Sequence, residues 1–116
     1  MRKNIIKDKT FAFALRIVNC TTYLKKEKKE FVMSKQLLRS GTSIGANVRE
    51  SEHAESKADF IHKLSISLKE ANETDYWIEL LYQSHHINEE QYLSLHNNIV
   101  EILKLLTAII KSSKNS

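Results

Sequence analysis

The sequence predicts an all-α fold, an antiparallel up-down-up-down four-helix bundle formed by residues 1–116 as one domain. Three observations carry this. The chain has no proline and two glycines, whereas β-rich folds need turn residues every ~8–12 positions. Apolar residues recur at three- and four-residue spacing in four separate stretches. Short polar connections with helix-start signals separate those stretches, and short connections make successive helices antiparallel neighbours. The hydrophobic content of 41% and charged content of 28% are those of a soluble globular domain.

The first helix is predicted at about residues 9–25, after a basic arm at 1–7. Phe11, Leu15, Val18 and Thr22 form its expected core stripe, flanked by Ala14 and Ile17. Cys20, the one cysteine, reads as a small core residue; it excludes an internal disulfide and a Cys-rich zinc site. Residues 25–30, Lys-Lys-Glu-Lys-Lys-Glu, read as a solvated helix end and loop, with a phosphate-binding patch as the sharper alternative.

The second helix, about 31–52, is the organising element. Leu37, Gly41, Ile44 and Val48 share one face, with Leu38, Gly45 and Ala46 beside it. An interior glycine weakens a helix by about 1 kcal/mol relative to alanine. Close approach of a neighbouring helix is the expected compensation, and a break at Gly41 is the alternative. The third helix, about 57–84, begins at Ser56 with Asp59 in its first turn, a variant capping box. Its stripe is Phe60, Leu64, Ser67, Ala71, Thr74, Ile78 and Leu81. The three small residues at its middle are expected to meet the glycines of the second helix. The fourth helix, about 89–111, starts from Asn88 with Gln91 at the box position. It carries two apolar seams: Tyr92, Leu95, Ile99, Ile102, Leu106 and Ile109, and beside them Leu93, Val100, Leu103 and Ile110. One seam suffices for a monomer, so the second predicts a subunit interface. The last five residues read as a disordered tail.

Charge is divided along the chain. Residues 1–49 hold 12 Lys/Arg against 3 acids, a balance of +9; residues 50–116 hold 6 against 11, a balance of −5. A basic half can hold phosphates, and a bipolar protomer can pack head to tail into a ring. The simpler reading is two solvated surfaces.

Catalytic chemistry finds little support. Glu50 and His53 have the spacing of a di-metal carboxylate helix, but the second Glu-x-x-His that such bundles need is missing. His62 and His96 have no ligand partner at metal spacing, and His85–His86 read as a helix end. No phosphate-cradling glycine loop and no local nucleophile–base pair is present. The chain is expected to be non-enzymatic, with no metal and no cofactor. The short, lysine-interrupted apolar run near the start predicts neither a signal peptide nor a membrane span, so a cytoplasmic protein is expected. The polar face of the second helix has more content: Gln36, Arg39, Ser43 and Asn47 are set to face Glu70 and Glu73 as a structural polar network. Arg39 is expected to be partly buried and paired with one of those carboxylates, the rival being an exposed Arg39 on phosphate. Trp77 reads as core or interface.

The blocks KQLLRSGTSIGANVRE at 35–50 and ADFIHKLSISLKEANETDYWIELL at 58–81 resemble the bacterial four-helix-bundle family of 23S rRNA intervening-sequence proteins, also called the S23 ribosomal protein family. Gln36, Arg39, Ser43, Ile44, Asn47 and Glu50 fit its second helix; Lys63, Leu64, Glu70, Glu73, Trp77 and Leu81 fit its third. The resemblance implies a homopentameric ring. It extends to the similar accessory protein of diversity-generating retroelements, a basic ring that binds nucleic acid and a reverse transcriptase. It carries no catalytic motif. The expectation is therefore a ring-forming protein that binds structured RNA or DNA through Arg16, Lys25, Lys26, Lys28, Lys29, Lys35 and Arg49. The alternative is an adaptor ring that docks a protein partner and has no nucleic-acid role.

Overall fold

The computed structural model describes residues 4–116 as four helices: α1 (Ile5–Glu27), α2 (Val32–Ser51), α3 (Lys57–Gln83) and α4 (Glu89–Lys114). Sequence neighbours pack on one another and α4 closes against α1, while among the described residues the backbones of α1 and α3, and of α2 and α4, do not come close, so the helices stand at the corners of a square. Contacts fix the antiparallel sense. Ile17 and Thr10 of α1 face Gly41 and Gly45 of α2, and Ser67 and Thr74 of α3 face Ile44 and Ser40. Asp75 and Tyr82 of α3 meet His96 and Tyr92 of α4. The bundle is 46 Å long.

Local chemistry sets the helix starts. Asn4 caps α1 by accepting from the Lys7 amide at 3.1 Å, which moves the start ahead of the predicted Lys9 and makes residues 5–7 helical rather than an arm. Residues 1–3, the rest of that expected arm, lie outside the described residues. Ser56 accepts from the Asp59 amide, and Asn88 and Gln91 form a reciprocal capping box, both as predicted. At the C-terminus the expected tail is instead helix as far as Lys114.

The core runs the length of the bundle through Phe13, Ile17 and Leu24, Leu37, Ile44 and Val48, Leu64, Ile78 and Leu81, and Ile99, Ile102 and Leu106. The predicted stripes of α2 and α3 are the buried ones, with Phe60 half-buried. That of α1 is not. Phe11, Leu15 and Val18 lie on the outside, 49%, 53% and 43% exposed, while Ile6, Thr10, Phe13, Ile17, Thr21 and Leu24 face inward. The helix carries two apolar stripes, and the inward one includes two threonines that mask it. Their hydroxyls donate to the Ile6 and Val18 carbonyls, so neither is an unpaired buried polar group. On α4, Ile110 rather than Ile109 is buried, and Val100 and Leu103 are half-buried. Of the expected second seam, Leu93 is 44% exposed and Ile110 is buried; larger exposed apolar surfaces lie on α1, at Phe11, Leu15 and Val18, and on α3, at Tyr76 and Leu80. By length and composition α4 could cross a membrane, but here its Leu95, Ile99, Ile102, Leu106 and Ile110 are core.

The glycines sit in one continuous helix, and the helix they admit is α1, not α3. A Cβ on Gly41 would stand 2.8 Å and 2.9 Å from the two γ-carbons of Ile17. A Cβ on Gly45 would meet the Thr10 carbonyl at 3.4 Å. The small residues of α3 instead pack on Ser40 and Ile44: Ser67 Oγ donates to the Ile44 carbonyl at 2.8 Å, and Thr74 Oγ1 donates to Ser40 Oγ at 2.9 Å.

Ile17 is fully buried and stiff at χ1. Gly41→Ala is therefore expected to lower unfolding free energy by about 1–2 kcal/mol in urea titration, overpacking outweighing the ~1 kcal/mol propensity gain. Gly45→Ala, with ordinary contact distance, is expected to be neutral or up to ~1 kcal/mol stabilising.

Candidate nucleic-acid interface

The connections α1–α2 and α3–α4 lie at the same end of the bundle, and that end carries the charge. Lys25 and Lys26 close the last turn of α1, Lys28 is its C-cap, and Lys29 turns the chain with a left-handed φ of 53°. Lys35 lies in the first turns of α2. All five are exposed, and among the described residues none pairs with a carboxylate. Phe31 and Val32, 59% and 76% exposed, stand between them.

Glu30 is in the middle of this run but is turned away from it. Its carboxylate accepts from the amides of Val32, Met33 and Ser34 at 3.1, 2.8 and 2.7 Å and from the Ser34 hydroxyl at 3.0 Å. Desolvation raises its pKa, but these four donors outweigh it and hold the group below the usual carboxylate range. Glu30 thus caps α2, where Phe31 offers no side-chain cap. In the sequence it is one acid in a charge run; a signal was present, since it precedes Ser34 by one helical turn at the start of a periodic stretch.

Two of the seven predicted cations do not join this cluster. Arg16 lies midway along α1, where its guanidinium donates to the Ser94 carbonyl at 3.2 Å, to Ser94 Oγ at 2.7 Å and to Asn98 Oδ1 of α4. With the Lys9–Glu101 pair at 3.0 Å it closes the α1–α4 seam. Arg49 is at the far end of α2, roughly 21 Å along the helix from Lys35 at 1.5 Å per residue. Its guanidinium stacks 5.0 Å above the Phe11 ring.

The polar network of α2 and α3 forms around Arg39. Its guanidinium reaches Glu70 Oε2 at 3.1 Å and also Glu73 Oε2, while Gln36 accepts from Nε at 3.5 Å. Trp77 Nε1 donates to the same Glu73 oxygen at 3.0 Å. Arg39 is more exposed than expected, 49%, because the carboxylates come out to meet it at the surface. Ser43 and Asn47 stand outside the network, donating to the Ser40 and Ser43 carbonyls of their own helix. The Trp77 and Arg39 hydrogen bonds hold the Glu73 carboxyl below its usual range.

The remaining candidates stay separate. Glu50 and His53 are exposed at the opposite end, and no cluster of three metal-ligating side chains occurs among the described residues. His96 Nδ1 lies 2.9 Å from Asp75 and stacks on Tyr92, which stacks on Tyr82. His62 is exposed; Cys20 is half-buried on an open groove between α1 and α4, where burial pushes its thiol pKa up.

Fold and surface thus define a small four-helix bundle with one lysine-rich end. The profile of the family described as 23S rRNA-intervening sequence protein matches residues 2–108. A crystal structure from Bacteroides thetaiotaomicron, described as a protein with unknown function from the S23 ribosomal protein family, is similar at 63% identity. The match covers 91% of this chain and 98% of that one, with a TM-score of 0.91. No functionally curated protein matches. The chain belongs to the 23S rRNA intervening-sequence protein family, also called the S23 ribosomal protein family.

Trp77 is the one tryptophan and reports on Glu73. Because the folded pKa of Glu73 is depressed, its contribution to stability is complete above the ordinary glutamate value of about 4.3 and is lost as pH falls through the lower folded value. Trp77 emission is expected to shift with a midpoint below ~4.3, and Glu73→Gln is expected to abolish that step. A midpoint at or above the ordinary value would contradict the assignment.

Proposed function

We propose that this protein is a non-enzymatic, ring-forming protein that binds structured RNA through the lysine-rich end of its bundle. The observation that carries the reading is the grouping of Lys25, Lys26, Lys28, Lys29 and Lys35, all exposed and unpaired, with Glu30 withdrawn into a helix cap. Lysine ammonium groups free of internal partners are available to replace the counterions of a phosphate backbone. The family description, tied to 23S rRNA intervening sequences, makes RNA the natural class of nucleic acid. Lysine ammonium groups are point charges that meet phosphates and not base edges, so binding through them would follow phosphate geometry rather than sequence.

The ring rests on a different observation. Among the exposed apolar residues are two patches on helices at opposite corners of the bundle: Phe11, Leu15 and Val18 on α1, and Tyr76 and Leu80 on α3. The first belongs to the basic half of the chain, beside Arg49, and the second to the acidic half, beside Glu73 and Glu79. Two different complementary patches make a head-to-tail contact, which closes into a ring when the rotation permits. Five copies, as the family resemblance implies, would repeat the lysine cluster around one rim. The same apolar patches favour the second reading, an adaptor ring that docks a protein partner.

Binding to a structured RNA fragment is expected to weaken steeply with salt, with a log–log slope of about −3.5 to −4.5 for five phosphates per engaged protomer. Joint reversal of Lys25, Lys28 and Lys29 to Glu is expected to flatten that slope by about 3 and weaken binding more than ~10-fold at low salt. Absence of binding at low salt would discard the nucleic-acid reading in favour of the adaptor; tighter binding to DNA than to RNA would reassign the ligand. In sedimentation velocity, the wild type is expected to run as a closed oligomer, and Leu15→Glu and Tyr76→Glu, each at an exposed site, as folded monomers. A monomeric wild type at high micromolar concentration would remove the ring.

A further inference from the structure

The lysine-rich end has a hollow as well as a charge. It lies between the end of α1 and the α3–α4 turn, measures about 330 Å3, and is lined by Tyr23, Lys28, Tyr82, His85, His86 and Glu89 among others. That volume is at the lower end of those that small ligands occupy. Its walls are mixed, and they include two tyrosines from different helices and two imidazoles beside Ile87, Asn88 and Gln91. Tyr82 is held in place by a column of near-parallel rings, 4.5 Å from Tyr92, which is 5.2 Å from His96, itself bonded to Asp75. His86 is held by Ser84 Oγ at 2.8 Å from Nδ1, and His85 takes a left-handed φ of 65° in the turn.

Charge is divided across the same hollow. Lys28 stands on its α1 side beside Lys25 and Lys29, and Glu89 stands on its α4 side. A ligand that suits it has an anionic end for the lysine, a flat ring for the two tyrosines, and N–H groups for the carboxylate. A nucleotide unit, with phosphate and base together, meets all three demands, and base–aromatic stacking needs no particular sequence.

We infer that this hollow takes one nucleotide unit, its base against Tyr23 and Tyr82, its phosphate at Lys28 and its base N–H groups toward Glu89. This rests on the RNA reading above and sharpens it: the strand would be held at an unpaired nucleotide and not along a continuous duplex. Phe31, exposed between Lys29 and Lys35 on the same rim, offers a further ring for a neighbouring base.

Three probes test this with the whole protein at low salt, each containing 2-aminopurine, whose emission is quenched by stacking. They are a 12-nucleotide single-stranded RNA, the blunt duplex of the same sequence, and the free riboside monophosphate. The single strand is expected to be quenched on binding and to bind about tenfold more tightly than the duplex. Tyr23→Leu, which keeps apolar bulk and whose fold is checked by circular dichroism, is expected to remove the quench and that advantage while leaving duplex affinity unchanged. Lys28→Ala, at an exposed site, provides an independent loss of single-strand affinity. Equal affinity for strand and duplex with no change in emission overturns the nucleotide site and leaves the phosphate-binding surface standing. Quenching of the free monophosphate alone, removed by Tyr23→Leu, supports the site with a free nucleotide as its occupant and removes the RNA reading. No response from any probe overturns both.

Discussion

The close approach of α2 to two helices at once is the constraint on which the rest of the structure depends. Gly41 gives Ile17 of α1 the space a Cβ would occupy, while Ser40 and Ile44, one position before and three after it, take hydrogen bonds from Thr74 and Ser67 of α3. A residue with a side chain at 41 would push α1 outward; larger residues at 67 or 74 would push α3 outward and strand the Ser40 hydroxyl and Ile44 carbonyl. The loss of helix propensity at two glycines is offset by dispersion contacts across the close α1–α2 seam. Because α2 is fixed on both sides, the loop before it and the surface network beside it are fixed as well.

The lysine-rich end follows from that anchoring. The α1–α2 connection is too short to wander, and Glu30 stitches it to the first three amides of α2. The cap ties this carboxylate to the α2 amides, while Glu27 stays exposed between Lys26 and Lys28. The same carboxylate therefore starts the helix and sets where the lysine-rich connection ends. By contrast, α1 and α4 meet through polar bonds of Arg16 and Lys9 and leave an open groove, so this is the seam of the bundle least defined by core packing.

The network of Arg39, Glu70, Glu73 and Trp77 ties α2 to α3 at the surface. An exposed ion pair adds little stability by itself. Its value here is geometric: Glu73 accepts from both a guanidinium and an indole, so the side chains of three residues hold one arrangement beside the small-residue seam. Ser43 and Asn47, on the same helix, bond to their own backbone instead of joining this network.

The four helices, their order and their caps at Ser56 and Asn88 were determined by the sequence alone, because period and capping are local and each needs only a few neighbouring residues. The Arg39–Glu70/Glu73 pairing was legible for a similar reason: a cation on one predicted face and two acids on the facing one leave few other arrangements. Which stripe of α1 is buried was not legible. Phe11–Leu15–Val18 and Phe13–Ile17–Leu24 both satisfy the helical period, and only the glycines of α2, which accept Ile17 and Thr10, choose between them. For the same reason the sequence assigned the glycines to α3, since small residues on two helices look complementary until a third helix is placed. The site divides likewise. Five lysines close in sequence stay close in space, but Arg16 and Arg49 are carried away by the geometry of straight helices, and the hollow between Tyr23 and the His85–His86 turn exists only because two connections distant in sequence meet at one end of the bundle.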